Sequence, residues 1–131
     1  MNAPRAARAA RALLAAVWWY EGLWAKVLGR RPEQRSIVAA VPGLPAWGVT
    51  GALVGLGTAE TAVGAWVLTG HRARAAALTQ TTLLVAMNAG GLAVASDRIR
   101  RPVLMLVRNA ALLALAWLAA RPATRDGHRA D

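Results

Sequence analysis

The chain contains no cysteine and no phenylalanine, a single tyrosine, two histidines and only six acidic residues in 131. Without cysteine it can form no disulfide, do no thiol chemistry and hold no iron–sulfur cluster of its own. His71 and His128 fall in a short loop and in the tail, so a transition-metal site built by the protein is not expected. No flavin or dinucleotide fingerprint is present either, and no intrinsic cofactor is expected.

What remains is apolar and basic. Hydrophobic residues make up 56% of the chain, and sixteen Lys and Arg against the six acids give a formal charge of +10. In a soluble protein that excess would suit nucleic acid. The arginines, however, are gathered at 5–11, 30–35, 72–74, 98–101 and 121–129, with long apolar stretches between them. Aromatic residues do not alternate with the basic ones, as a base-stacking surface would require. The pattern is that of membrane spans joined by basic loops facing anionic headgroups, so the lipid bilayer is the expected partner and nucleic acid is not.

The expected fold class is an all-α membrane protein of one small domain over 1–131, an antiparallel bundle of four transmembrane helices. The spans are placed at about 10–28, 47–69, 75–95 and 103–120, each near the roughly 20 residues that cross the hydrocarbon core, with basic tails at 1–9 and 121–131. Helix breakers support these limits: Gly29 and Pro32 end the first span, Pro42, Gly43 and Pro45 precede the second, Gly70 closes it, and Pro102 and Pro122 bracket the fourth. The first loop, RRPEQRSIVAAVPGLP, contains the weakly amphipathic piece SIVAAV and is the one loop long enough to serve as a lid. Four spans put both termini on one side with the second loop. That side carries eight basic residues against seven on the other, so charge barely sets the orientation.

Ionisable and polar groups inside the spans carry the functional signal, since a charge at mid-bilayer costs about 2.5–3.5 kcal/mol even on lenient scales. They are Glu21, Lys26, Glu60, Gln80, Asn88, Arg108 and Asn109. Five residues in an α-helix turn about 140°, which separates Glu21 from Lys26. Lys26 is then expected to snorkel toward Arg30 and the headgroups, leaving Glu21 to look across the bundle. Counted from the face of the first and third loops, Arg108 is about six residues deep, Asn88 and Glu21 about eight, and Glu60 about thirteen. Arg108 is thus the natural countercharge for Glu21, Glu60 or both, with Asn88 and Asn109 bonding what remains. Two readings stay open at this stage: a satisfied ion pair that fixes helix register, or a small polar pocket beneath the first loop.

Around Glu60, Gly57 and Gly64 make a smooth face for a close neighbour, while Gly48, Gly51 and Gly55 form a second small-residue stripe suited to another helix, including one from a second copy. The six tryptophans lie mostly near span ends and read as an interfacial belt. Trp24 is the exception, one turn from Glu21 on its face and placed to wall the pocket.

The segment WWYEGLWAKVLGRRPEQRSIVAAVPGLP, then GTAETAVGAWVLTG and RNAALLALAWLA, resembles the DoxX-like family of small membrane proteins. Tyr20, Glu21, Gly22, Trp24 and Lys26 match its Y-E-G-x-W-x-K pattern, and Glu60 and the Arg108–Asn109 pair match further positions. The chain differs before its last helix, where it reads SDRIRRP. The resemblance implies a multi-pass protein of the bacterial inner membrane with cytoplasmic termini, working beside a quinone or a redox partner protein. From their place inside the spans, the candidate acid–base groups are Glu21 and Glu60, and the candidate ligand-binding residues are Tyr20, Trp24, Asn88, Arg108 and Asn109. An acid–base enzyme acting on an isoprenoid-type substrate and a non-catalytic interaction subunit are the competing readings.

Overall fold

The computed structural model describes residues 3–122; Arg125, His128 and Arg129 of the basic tail lie outside them. Five α-helices follow in order: α1 (Ala3–Trp19), α2 (Pro32–Ala39), α3 (Ala46–Thr69), α4 (Ala73–Ala95) and α5 (Pro102–Ala119). α1 continues without a break into a π-helical stretch, Tyr20–Val27, and a 3₁₀ turn, Ser96–Arg98, follows α4. No strand occurs among the described residues.

The breakers act where expected. Pro32 and Pro102 sit in the first turns of α2 and α5, where a missing N–H costs nothing. Gly70 caps α3 with φ of 70°, the left-handed geometry that glycine adopts without strain. Arg72 takes φ of 46° next door, so the α3–α4 turn is made in three residues and the two helices run antiparallel.

Three helical segments are long and apolar enough to cross a membrane: Ala46–Thr69, Ala73–Arg98 and Pro102–Ala119. The first expected span differs in kind, because its helix starts at Ala3 rather than near Ala10 and changes pitch at Tyr20. The N-terminal tail is therefore largely helix. α1 packs on α3 and α5, and α4 on α5 and α3, so these four helices close a ring. Its core is built from Leu14, Trp18, Val63, Val67, Ala76, Ala77, Leu84 and Ala116. Many alanines in that core let backbones approach closely, the packing device of membrane helices. Outside the ring the large side chains face outward, among them Trp47, Leu78, Val85, Val103, Leu104 and Val107, as lipid-facing surface requires.

α2 lies across one end of the ring, against α3, α4 and the π-helical stretch. It is tied down from both sides. Arg98 donates to the Ser36 carbonyl at 3.0 Å, and Arg35 donates to Thr50 Oγ1 at 3.0 Å. The first loop is thus a fixed helical roof, and SDRIRRP supplies one of its fastenings.

The π-helical stretch is the fold's principal irregularity. Leu28 N–H donates to the Leu23 carbonyl five residues back, the bond that defines the wider turn. Beside it, Gly22 and Gly57 pack backbone against backbone: a Cβ on Gly22 would stand 2.6 Å from the Gly57 carbonyl oxygen, and one on Gly57 would stand 2.5 Å from that of Gly22. Neither position can carry a side chain without moving a helix.

Candidate functional site

The π turn resets which residues share a face. Because it rotates less per residue than an α-helix, Lys26 comes round to the face of Glu21, and its Nζ donates to the Glu21 carbonyl at 3.3 Å. This corrects the expectation that Lys26 snorkels outward. Its side chain is 6% exposed and meets Glu60, itself 1% exposed, across the contact between the π-helical stretch and α3. Nζ donates to Glu60 Oε1 at 3.0 Å and lies 2.9 Å from Oε2. Its approach to Oε2 is off the hydrogen-bond direction, so that buried oxygen has charge contact but no hydrogen bond. The countercharge of Glu60 is therefore Lys26 and not Arg108.

Arg108 pairs with Glu21, the partner that depth suggested, at 3.4 Å from Nη2 to Oε1. The two ion pairs differ sharply in setting. Arg108 is 52% exposed while Glu21 is 15% exposed, and the contact is an ionic approach without a hydrogen bond. Between the pairs and α4, Asn109 Nδ2 donates to Asn88 Oδ1 at 2.8 Å, which leaves each amide with further polar capacity toward the space they border.

These groups border one cavity of about 290 Å³ under α2. Glu21, Lys26, Glu60, Asn88, Arg108 and Asn109 line its polar side. Ile37, Val38 and Val41 form the roof, and Leu56, Leu84, Met87, Val94, Ile99 and Met105 form the rest of its walls. The pocket read from sequence as polar is thus mostly apolar, with charge concentrated on one side. Gly90 and Gly91 help to make room beneath the roof: no atom approaches the Cβ position of Gly90 within 4 Å, and Ile99 stands 3.6 Å from that of Gly91.

Not every expected residue is brought in. Trp24 lies outside the cavity, half exposed, with the Arg30 guanidinium 5.5 Å from its ring centroid, a cation–π arrangement. The pitch change that turns Lys26 inward carries Trp24 outward. Tyr20 is also outside, half exposed, and lines a shallow neighbouring hollow with Glu21 and Arg108.

Two residues were not singled out by sequence. Trp18, placed in the interfacial belt by position, is buried, borders the cavity and donates to Gln80 Oε1 at 2.9 Å. Its signal was the pairing of an indole donor with the amide in the third span, 62 residues away. Gln34 of α2, which lines the cavity from the roof, carried no signal.

Chemically, the arrangement offers a buried carboxylate–ammonium pair, two amides and a long apolar wall. That set can hold a small polar head by hydrogen bonds and can pass a proton to or from it. Among the described residues no group of three His, Asp or Glu could bind a metal ion. Residues 15–117 match the model of the DoxX-like family. No curated protein and no solved structure matches the chain.

Proposed function

The chain belongs to the DoxX-like family of membrane proteins, and from that premise we propose that it binds the head of a quinone-like amphiphile in the cavity beneath α2, as a redox-associated subunit of a bacterial inner membrane. In this reading four helices cross the bilayer, α1 with its π-helical extension included, and the termini are cytoplasmic. The observation that carries it is a polar cluster, the buried Lys26–Glu60 pair and the hydrogen-bonded Asn88–Asn109 amides, on one side of an otherwise apolar cavity. Each of the two amides keeps donor and acceptor capacity beyond their mutual bond, which a ligand hydroxyl or carbonyl can use. Asn88, Asn109 and Lys26 border the same space and can orient the head. No redox group is built from this chain's side chains, so electrons would pass to or from a partner protein or a second bound molecule.

Purification in mild detergent tests this directly. A co-extracted amphiphile is expected, together with saturable thermal stabilisation by a decyl-tailed quinone. Ile37→Trp fills the cavity from the roof without touching either ion pair, and it should abolish the stabilisation. Absence of both the co-extracted amphiphile and the stabilisation would sink the reading.

A second reading is favoured by Glu21 and Glu60 bordering one cavity. Two carboxyls beside Lys26 and Arg108 suit an acid–base isomerisation or cyclisation of an isoprenoid-type substrate. Turnover abolished by Glu21→Gln or Glu60→Gln in a folded protein would favour it. A third, non-catalytic role rests on the Gly51 and Gly55 face of α3, where nothing lies within 4 Å of either Cβ position. Unchanged partners and oligomeric state in Gly51→Leu would remove it.

A further inference from the structure

The ring is not closed equally along its length. α1 packs on α5, but where α1 becomes the π-helical stretch the chain turns onto α3, and α5 keeps substantial packing only with α1 and α4 among the described residues. The roof does not cover this gap, since α2 packs on α3, α4, the π-helical stretch and the 3₁₀ turn. A seam is left between Tyr20–Val27 and the first half of α5. Tyr20 and Arg108 stand half exposed beside it.

A hollow of about 290 Å³ opens on the outer side of this seam. Of its six lining residues, Val17, Glu21, Arg108 and Leu112 also line the cavity, and only Ala16 and Tyr20 are its own. The two spaces therefore share a wall, and the Glu21–Arg108 pair is part of it. That wall is weakly built: a 3.4 Å ionic contact, with Arg108 half exposed. A guanidinium offers five N–H donors, and Arg108 commits none of them to a hydrogen bond within the described residues, so its geometry suits swinging aside.

We propose that the cavity opens sideways into the bilayer through this seam, and that its occupant is a bilayer-borne amphiphile whose apolar tail stays in the Ala16–Tyr20 hollow while its head passes the Glu21–Arg108 pair. This rests on the cavity's being a binding site, and it adds the route and the long tail. The surroundings agree with it. The hollow's walls are Ala16, Val17 and Leu112 apart from the ion pair and Tyr20, a surface that attracts hydrocarbon. The hollow adds space on the lipid side, where a chain longer than the head can extend. The roof is held by hydrogen bonds from Arg98 and Arg35, whereas the Glu21–Arg108 contact in the seam wall has none.

The absence of cysteine makes the test clean. A nitroxide on Val17→Cys, or on Leu112→Cys should the first variant fail to label or fold, is placed in phosphatidylcholine vesicles. Its collisions with bilayer-soluble oxygen and with a water-soluble nickel chelate are then compared. Oxygen should reach the label and the chelate should not, and adding Ala16→Phe, which plugs the hollow outside the cavity, should remove most of the oxygen access. Equal access for the chelate, or an Ala16→Phe variant as open to oxygen as its parent, would overturn the portal. In the otherwise native chain, Ala16→Phe should abolish stabilisation by a decyl-tailed quinone and spare that by the tail-less ring. Equal loss of both would also overturn it. Should the oxygen results hold while no quinone stabilises the native protein, the quinone head fails and the portal stands.

Discussion

Two ion pairs start from the same π-helical stretch, five residues apart, yet they occupy different environments. Lys26 and Glu60 are sealed between the π-helical stretch and α3, with 6% and 1% of their side chains exposed and contacts of 2.9 and 3.0 Å. Glu21 and Arg108 meet at 3.4 Å on an open seam, the arginine 52% exposed. The difference comes from packing: the first pair sits where Gly22 and Gly57 bring two backbones into contact, the second where α5 has parted from the π-helical stretch. A buried pair resists loss of one partner because the other charge is stranded; an exposed pair has little to lose. The first is accordingly a brace, and the second is free to move.

The largest effect is expected from breaking the sealed pair by half. Lys26→Met should cost about 3–5 kcal/mol by leaving the Glu60 carboxylate uncompensated, read as a fall in the thermal or denaturant midpoint in detergent. Adding Glu60→Leu should recover most of that loss, because an apolar pair can replace a buried ionic one. A double variant as weak as Lys26→Met would deny the brace.

Next in size is the backbone contact that holds the brace in place. Gly22→Ala or Gly57→Ala forces a methyl against a carbonyl oxygen and should cost about 1–3 kcal/mol, the usual range for overpacking. Gly51→Ala, on the open face of the same helix α3, should be neutral in the same melt. Equal effects at Gly57 and Gly51 would show that the close approach is not what positions Lys26.

The smallest effect is expected at the seam. Arg108→Gln should change stability by no more than about 1 kcal/mol, as for exposed pairs, while altering stabilisation by the decyl-tailed quinone. A loss as large as that of Lys26→Met would place both pairs in the same class and remove the contrast.

Much of this architecture was legible in the sequence. Proline and glycine mark the helix limits in the sequence, and the length of the first loop with its amphipathic SIVAAV points to a lid, though not to the helix that starts at Pro32. Opposite charges at matching depth on different helices pointed to Glu21 with Arg108, because depth depends only on rise per residue. Lys26 was misread for the opposite reason: angular position depends on pitch, and an α-helical pitch was assumed where the chain is π-helical. That change of pitch coincides with a contact between Gly22 and Gly57, 35 positions apart, which no local pattern encodes. Trp18 failed in the same way, since proximity to a span end suggests a belt while its burial depends on Gln80 in a distant helix. The apolar character of the cavity was equally hidden, because its walls come from α2, α3, α4, α5 and the 3₁₀ turn's neighbour Ile99 together.

The most direct measurement is a structure determined in lipid at a resolution that shows bound amphiphiles. Density filling the space under α2, against its polar side at Asn88, Asn109 and the Lys26–Glu60 pair, and continuing past Arg108 into the hollow beside Ala16, is the expected result. A cavity collapsed by its own side chains, with α5 closed against Tyr20–Val27 and no density beside Glu60, would contradict it.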